Sequence, residues 1–182
     1  EVIPALWRLM EENEDVALAM PKVLFLNGSV QCLAKLLPTP VDLFCRFFMP
    51  AKLIVRRNNK FELRHSGYDR EMNVPFLSGC FMFLRVSALK SEGIFDERFF
   101  MYMEDVDLTR RLHAKHKTLF YPSVSIYHRF SRLSYHKWKL SLAHMASVVK
   151  YFNKWGWIYD SSRRRFNKTL LKELKQQTKD EG

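Results

Sequence analysis

The sequence has few cysteines and no long hydrophobic run. Its three cysteines, Cys32, Cys45 and Cys80, are odd in number and lack the spacing of a metal site, so we expect reduced thiols in a cytosolic protein. No apolar run approaches the ~18–20 residues that cross a membrane as a helix. The hydrophobic content of 47% is nevertheless enough for a buried core.

Other common features are also missing. The residues Glu1 to Pro4 do not resemble a signal peptide, and the chain does not begin with Met, which predicts a fragment of a larger protein. Nothing in the sequence is repetitive or low in complexity. A length of 182 residues predicts one domain with room for an appendage.

The positive charge is concentrated at the carboxyl end. The net charge is +11, yet residues 129–182 contain thirteen Lys or Arg and four Asp or Glu, which leaves the rest of the chain close to neutral. A basic tail needs an acidic partner or surface. Nucleic acid, anionic lipid and a diphosphate are all candidates.

An acidic run stands among aromatic and apolar residues between Phe95 and Leu112, FDERFFMYMEDVDLTRRL. We expect a helix to begin near Met103, with Glu104 and Asp105 in its first turn, and Asp107 to pair with Arg111 on the outer face. A nearby like charge and partial burial raise a carboxyl pKa, which suits a group that accepts a proton. The alternative is an acidic helix start that only caps a core helix.

Periodicity and turn residues predict the remaining elements. Ser78 and Gly79 interrupt the most strand-like stretch, which indicates either a bulge or a close approach by another molecule. His113 and His116 have a spacing that a metal can use, but basic residues are also common in a last helical turn. The predicted elements are a helix over Pro4–Asn13, a strand over Val16–Phe25 broken at Pro21, a hairpin over Leu24–Cys32, a short helix over Val41–Phe48, a loop over Ala51–Asn73, a strand over Val74–Leu84, a helix over Val86–Glu92 closed by Gly93, two extended pieces over Leu119–Tyr121 and Val124–Tyr127, and helices over Trp138–Trp157 and Arg163–Gln177.

These motifs together carry a family resemblance. The acidic run, the upstream segments PKVLFLNGSVQ, LPTP and FLSGCFMFLRVSAL, and the downstream LFYPSVSIYHRFSRLS resemble glycosyltransferase family 2, especially its bacterial rhamnosyltransferase-like members. The resemblance covers roughly Val2 to Ser134 in consistent order. It implies an α/β fold: residues 1–134 would be the acceptor-side portion of a GT-A catalytic domain, followed by a basic helical appendage over residues 135–182.

The resemblance also implies a reaction. Such enzymes transfer a sugar, here with rhamnose as the nearest example, from a nucleotide-diphosphate donor to a hydroxyl of a glycan or lipid-linked acceptor, usually with inversion, in cell-surface polysaccharide synthesis. Asp105 would be the catalytic base and Glu104 would orient the acceptor or the base. The acceptor would lie along Ser78 and Gly79.

The donor side is less complete. The resemblance places His128 at a divalent metal, Mg or Mn, or at the donor diphosphate. The alternative is that His128 is simply a half-buried side chain without a ligand, as a lone histidine after a strand usually is. Arg129 and Arg132 would contact the diphosphate. The resemblance does not extend to the nucleotide-binding first half of such enzymes, which carries their DxD metal motif. The D-V-D sequence of Asp105, Val106 and Asp107 does not fit that motif, because it belongs to the helix start. We therefore expect the main metal ligands elsewhere in a larger enzyme, and no activity from this fragment alone.

The two C-terminal helices allow two interpretations. Their aromatic residues and flanking lysines, with Arg163 to Arg165, suit a helix on an anionic membrane, at the inner face of the cell membrane in a cytoplasmic protein. Alternatively, they dock their apolar faces on the domain. Two other functions stay open: a non-catalytic membrane-surface adaptor, and a nucleic-acid-binding module, for which no known motif appears and which we do not expect.

Overall fold

The computed structural model describes residues 1–44, 49–129 and 138–180. They form an α/β protein with a mixed sheet and seven helices in the described ranges. The elements in chain order are α1 (Val2–Glu12), β1 (Val16–Leu24), β2 (Ala34–Lys35), α2 (Pro40–Phe44), α3 (Ala51–Phe61), a 3₁₀ turn (Arg64–Ser66), β3 (Met72–Asn73), β4 (Phe76–Leu77), β5 (Phe83–Leu84), α4 (Val86–Glu92), α5 (Glu104–His113), β6 (Lys117–Tyr127), α6 (Trp138–Trp155) and α7 (Ser161–Asp180).

The main sheet has the strand order β3-β6-β1-β5. Its two long central strands, β1 and β6, are parallel, and the two-residue strands β3 and β5 pair antiparallel to them at the edges. β2 and β4 form a separate antiparallel pair. Because β1 and β6 run in the same direction, their carboxyl ends meet at one edge of the sheet.

Both long strands pass through a proline without ending. Pro21 of β1 pairs with Tyr121 of β6, and the next pair is Lys22 with Ser125, so Pro122 to Val124 bulge out of the register. A proline has no backbone N–H and cannot donate to the ladder, and a bulge accommodates such a residue. The predicted breaks at Pro21 and Pro122 were therefore wrong, and each region is one strand.

Helices cover both faces of the sheet. Leu6, Leu9 and Met10 of α1 pack on Val16, Ala19 and Leu119 on one face. The other face packs on α5 and α7, and burial of each such leucine contributes about 1.5–3 kcal/mol. The buried residues on that face include Ala17, Met20, Val23, Leu108, Leu112, Leu170 and Leu174.

α6 and α7 bury their inner faces in the same cores as the rest of the chain. Val148, Tyr151 and Phe152 of α6 pack with Phe166 of α7 and with Val106 of α5. This packing is the docked arrangement that the sequence left open. The predicted division at residue 134 lies outside the described residues and stays a prediction. No helix of the described ranges is long and apolar enough to cross a membrane.

The local predictions had mixed outcomes. The helix over Val86–Glu92 is confirmed, as is its end at Gly93, which has φ 81° and donates its N–H to the Leu89 carbonyl. The prediction of a loop over Ala51–Asn73 was wrong, because Ala51–Phe61 is a helix. None of the residues of this helix is buried. The predicted strand Val74–Leu84 is two short strands in different sheets.

Candidate active site

The acidic helix begins where the sequence predicted it. α5 starts at Glu104 with Met103 as its N-cap, and both Tyr102 (φ 64°) and Met103 (φ 68°) have left-handed backbone. Two such residues in succession cost about 1–3 kcal/mol each, so the surrounding packing must hold them. Met103 is buried in the core that α6 completes, and the Tyr102 ring lies 4.5 Å from the His144 ring of α6. The helix start is therefore fixed in position.

Asp105 contacts the loop that follows β4. Its Oδ2 accepts the Gly79 N–H at 2.8 Å, and its Oδ1 accepts the Val106 N–H at 2.8 Å. A Cβ atom on residue 79 would lie 3.2 Å from the Asp105 Cβ, which is closer than ordinary van der Waals contact. Glycine at this position therefore allows the loop to approach the helix start.

Burial dominates the electrostatics of Asp105. It raises the pKa of this carboxyl, and the hydrogen bonds from Gly79 and Val106 and the charge of Lys35 oppose the shift without cancelling it. Over the described ranges no cation forms an ion pair with Asp105. A partly dehydrated carboxylate without a cation has a raised affinity for a proton.

Glu104 has a related environment. It is half-buried, and its Oε2 atom is buried without a hydrogen-bond partner among the described residues. Burial raises its pKa, and the neighbouring charge of Asp105 adds to that effect. The pKa of the Cys80 thiol is raised mainly by burial, and the nearby charge of Asp105 raises it further. The structure thus brings Glu104, Asp105 and the Ser78–Cys80 loop together.

Asp107 has a structural role instead. Its side chain is 0% exposed, and its partners are the Arg111 Nε at 2.9 Å, the Lys154 Nζ at 2.7 Å and the Trp155 Nε1 at 2.7 Å. The predicted pair with Arg111 is confirmed, but its position on the outer face was wrong. Asp107 bonds α5 to α6, so the two aspartates of one helical turn differ in surroundings.

A second buried charge joins α5 to the C-terminal helices. Arg110 donates to both oxygens of Asp160 at 2.6 and 2.7 Å and to the Tyr151 hydroxyl at 3.2 Å. Its guanidinium also lies 4.0 Å from the centre of the Trp155 ring. The charges deeper in α5 are therefore paired, in contrast to Asp105 and Glu104 at its start.

His128 lies at the carboxyl edge of the parallel strands, where ligands commonly bind in open α/β sheets. Its N–H donates to the Leu24 carbonyl at 2.9 Å, and its Nδ1 lies 3.2 Å from the Gln31 Oε1. Arg129 is exposed beside it, and Arg132 lies outside the described residues. No hydrogen bond or ion pair in the described part of the chain joins His128 or Arg129 to Asp105.

The described residues do not form a metal site by themselves. Within residues 1–44, 49–129 and 138–180, no group of three His, Cys, Asp or Glu can hold a metal ion. His128 is a single candidate ligand. His113 has another role: its Nδ1 lies 2.7 Å from the Thr118 Oγ1, its ring packs edge-on against Phe166, and burial lowers its pKa to about 4.

Two cavities lie away from the acidic helix start. One of about 160 Å³ is lined by residues that include Thr39, Arg57 and Asn167, and one of about 150 Å³ by residues that include Arg110 and Trp155. Neither includes Asp105. The carboxylates of Glu104 and Asp105 and the loop after β4 define the candidate site.

Taken together, the fold and the site define an α/β protein with a half-buried carboxylate at a helix start beside a glycine turn. No family model matches the chain, and no solved structure matches it. Two curated proteins are similar to part of it, the N-acetylglucosaminyl-diphospho-decaprenol L-rhamnosyltransferases of Mycobacterium tuberculosis strains CDC 1551 / Oshkosh and ATCC 25618 / H37Rv. Each is 48% identical over 59 residues, which cover 32% of this chain and 19% of the relative.

The chain therefore spans about a fifth of the length of the curated relatives it matches. A similarity of this extent indicates a relationship to glycosyltransferases at the level of the class.

Proposed function

We propose that this chain is part of an inverting glycosyltransferase in which Asp105 is the catalytic base. The observation that carries the proposal is the state of Asp105: its carboxylate is held by two backbone N–H groups, has no paired cation in the described residues, and has a pKa raised by burial. The partial similarity to rhamnosyltransferases supports the same class of reaction. In this proposal the sheet and α5 are the acceptor-side part of a GT-A fold.

The reaction places a specific demand on Asp105. The acceptor hydroxyl oxygen forms a bond to the anomeric carbon of the donor sugar while the bond from that carbon to the diphosphate oxygen breaks, and the diphosphate leaves with the electron pair. The hydroxyl proton passes to Asp105, whose oxygens each keep a lone pair beyond the N–H bond that they accept. In-line attack inverts the anomeric centre.

Glu104 and the loop after β4 would hold the acceptor. The buried Oε2 of Glu104 lacks a hydrogen-bond partner among the described residues, so it is suited to accept a hydrogen bond from a sugar hydroxyl. The Gly79 N–H is already used by Asp105. We therefore propose that Gly79 fixes the base while Ser78 borders the acceptor.

On the donor side, His128, Arg129 and Arg132 would face the diphosphate of a nucleotide sugar. Their chemistry fits that role, since arginine binds phosphate oxygens and imidazole binds metals. A bound divalent cation, Mg or Mn, would neutralise charge on the leaving diphosphate. His128 would be one ligand, and the others are expected outside the described residues.

The exposed side of α6 supports a membrane surface as a further partner. Leu142 and Val149, 58% and 40% exposed, continue towards Ile158 and Tyr159, each 81% exposed, at the turn into α7. In the first turns of α7, Arg164 and Arg165 are exposed, whereas Arg163 is buried. The Arg164 guanidinium lies 4.9 Å from the centre of the Tyr159 ring. Exposed apolar residues beside cationic ones suit the surface of an anionic bilayer.

This surface is consistent with a lipid-linked acceptor at the inner face of the cell membrane. The chain should float with vesicles that contain anionic lipid. The double variant Ile158→Ser, Tyr159→Ser should stay at the bottom of the gradient. Vesicles of neutral lipid should bind weakly. Equal flotation of the variant would contradict the proposed surface.

The transfer assay tests the catalytic proposal in the complete enzyme. Asp105→Asn should lower the rate of sugar transfer by about 10²–10⁴-fold, the usual contribution of a general base, whereas Glu104→Gln should mainly raise the KM for the acceptor. Circular dichroism checks that both variants are folded. Transfer by Asp105→Asn at the wild-type rate would refute the assignment of the base.

A further inference from the structure

Gln31 is a buried polar residue at the end of the parallel strands. It is 3% exposed, and its Nε2 donates to the Leu24 carbonyl at 3.1 Å and to the His128 carbonyl at 2.6 Å. A carbonyl oxygen only accepts hydrogen bonds, so the NH₂ group of the amide must face these two oxygens. The orientation of the amide is thereby fixed, and its Oε1 faces the His128 ring.

The orientation of Gln31 has a consequence for the His128 ring. The Gln31 Oε1 lies 3.2 Å from the His128 Nδ1, and an amide oxygen only accepts hydrogen bonds. Nδ1 must therefore carry the proton, and in the neutral imidazole Nε2 then has a free lone pair. Among the described residues Nε2 has no hydrogen-bond partner.

We propose that Gln31 is a positioning residue that holds His128 as its Nδ1–H tautomer and leaves Nε2 as an acceptor. Metal-binding histidines are commonly held in this way by a hydrogen bond from the other ring nitrogen. The tautomer distinguishes two roles for His128, because a neutral ring with a lone pair at Nε2 can bind a divalent cation there but cannot donate to a phosphate oxygen. This choice of role rests on the proposed function.

The fold brings Gln31 to this position through one tight turn. At Asn27 and Gly28 the chain reverses, Gly28 has φ 82°, and the Phe25 N–H donates to the Ser29 carbonyl at 2.8 Å. The Gln31 N–H then donates to the Val23 carbonyl at 2.8 Å. The Gln31 side chain thus joins the end of β1, at Leu24, to the residue that follows β6, His128.

Nitrogen NMR of the histidine rings tests this inference directly. In the 182-residue chain above the titration range of histidine, the His128 ring, assigned by its loss in His128→Asn, should show one protonated nitrogen, Nδ1. Gln31→Met removes the acceptor and should give a mixture of both tautomers.

One control completes the experiment. Gln177→Met, an exposed change on α7, should leave the His128 ring unchanged. If Gln31→Met fails to fold, the wild-type spectrum still decides, because the inference predicts which of its two ring nitrogens carries the proton. A wild-type ring protonated at Nε2, or a folded Gln31→Met with an unchanged tautomer, would overturn the inference. No sugar donor is present, so the outcome is independent of the role proposed for Asp105.

Discussion

Asp107→Asn should destabilise the chain much more than the same change at Asp105. Asp107 is fully buried and bonds Arg111, Lys154 and Trp155. The substitution removes its charge with little change in shape. Both cations keep other partners: Lys154 contacts Asp96 at 2.8 Å, and Arg111 donates to the Ile94 carbonyl at 2.5 Å.

The size of the loss follows from these contacts. Removing one partner of a buried ion pair costs about 3–5 kcal/mol when the other charge is left unpaired. Because Lys154 and Arg111 retain partners, we expect the lower end, about 3 kcal/mol. For a protein of this size, that corresponds to a fall in melting temperature of about 6–12 °C.

Urea unfolding followed by tryptophan fluorescence measures the effect, since Trp155 contacts Asp107. At Asp105 burial already disfavours the charged form. The asparagine amide can accept only one of the two backbone N–H bonds that Asp105 accepts, so Asp105→Asn should cost about 0.5–1.5 kcal/mol. If the two variants lose equal stability, or if Asp107→Asn loses less than about 1 kcal/mol, the division into a structural and a reactive aspartate is wrong.

Two further changes test neighbouring features. Burial lowers the pKa of His113 to about 4, so the unfolded chain binds this proton first as the pH falls, and stability should decline between about pH 6.5 and pH 4 by up to about 3 kcal/mol. His113→Gln should flatten this part of the curve of unfolding free energy against pH, and an unchanged slope would contradict the assignment. Gly79→Ala places a methyl group 3.2 Å from the Asp105 Cβ and should cost about 1–3 kcal/mol in urea unfolding, and it should also reduce transfer in the complete enzyme. For the stability measurement alone Ser78→Ala is the matched control, and equal stability of the two variants would mean that the loop has room to adjust.

Sequence patterns predicted the elements whose ends carry strong local signals. The helix over Val86–Glu92 has a glycine at its end, and α5 has acidic residues in its first turn. The exposed helix over Ala51–Phe61 was missed, because a helix that buries nothing has a polar composition typical of loops. The continuity of β6 across Pro122 was missed because it depends on pairing with a distant strand.

The candidate site was predictable only in part. The acidic run indicated Asp105 and Glu104, but nothing in the sequence distinguished the surroundings of Asp105 from those of Asp107, which depend on Lys154 and Trp155 about fifty residues away. Gln31 was missed, since its contact with His128 joins residues 97 apart in the chain. A polar residue three places after an Asn-Gly turn was the available signal.

The titration of the Asp105 carboxyl group, followed by carbon NMR in the 182-residue chain, tests the central claim most directly. Asp96 is the internal reference, because its hydrogen bonds with Arg98 hold its pKa below the ordinary range. Asp105 should titrate above the value of about 3.9 for an unperturbed aspartate, since burial raises its pKa. A midpoint at or below that value would contradict the claim that a half-buried carboxylate with a raised proton affinity is the base.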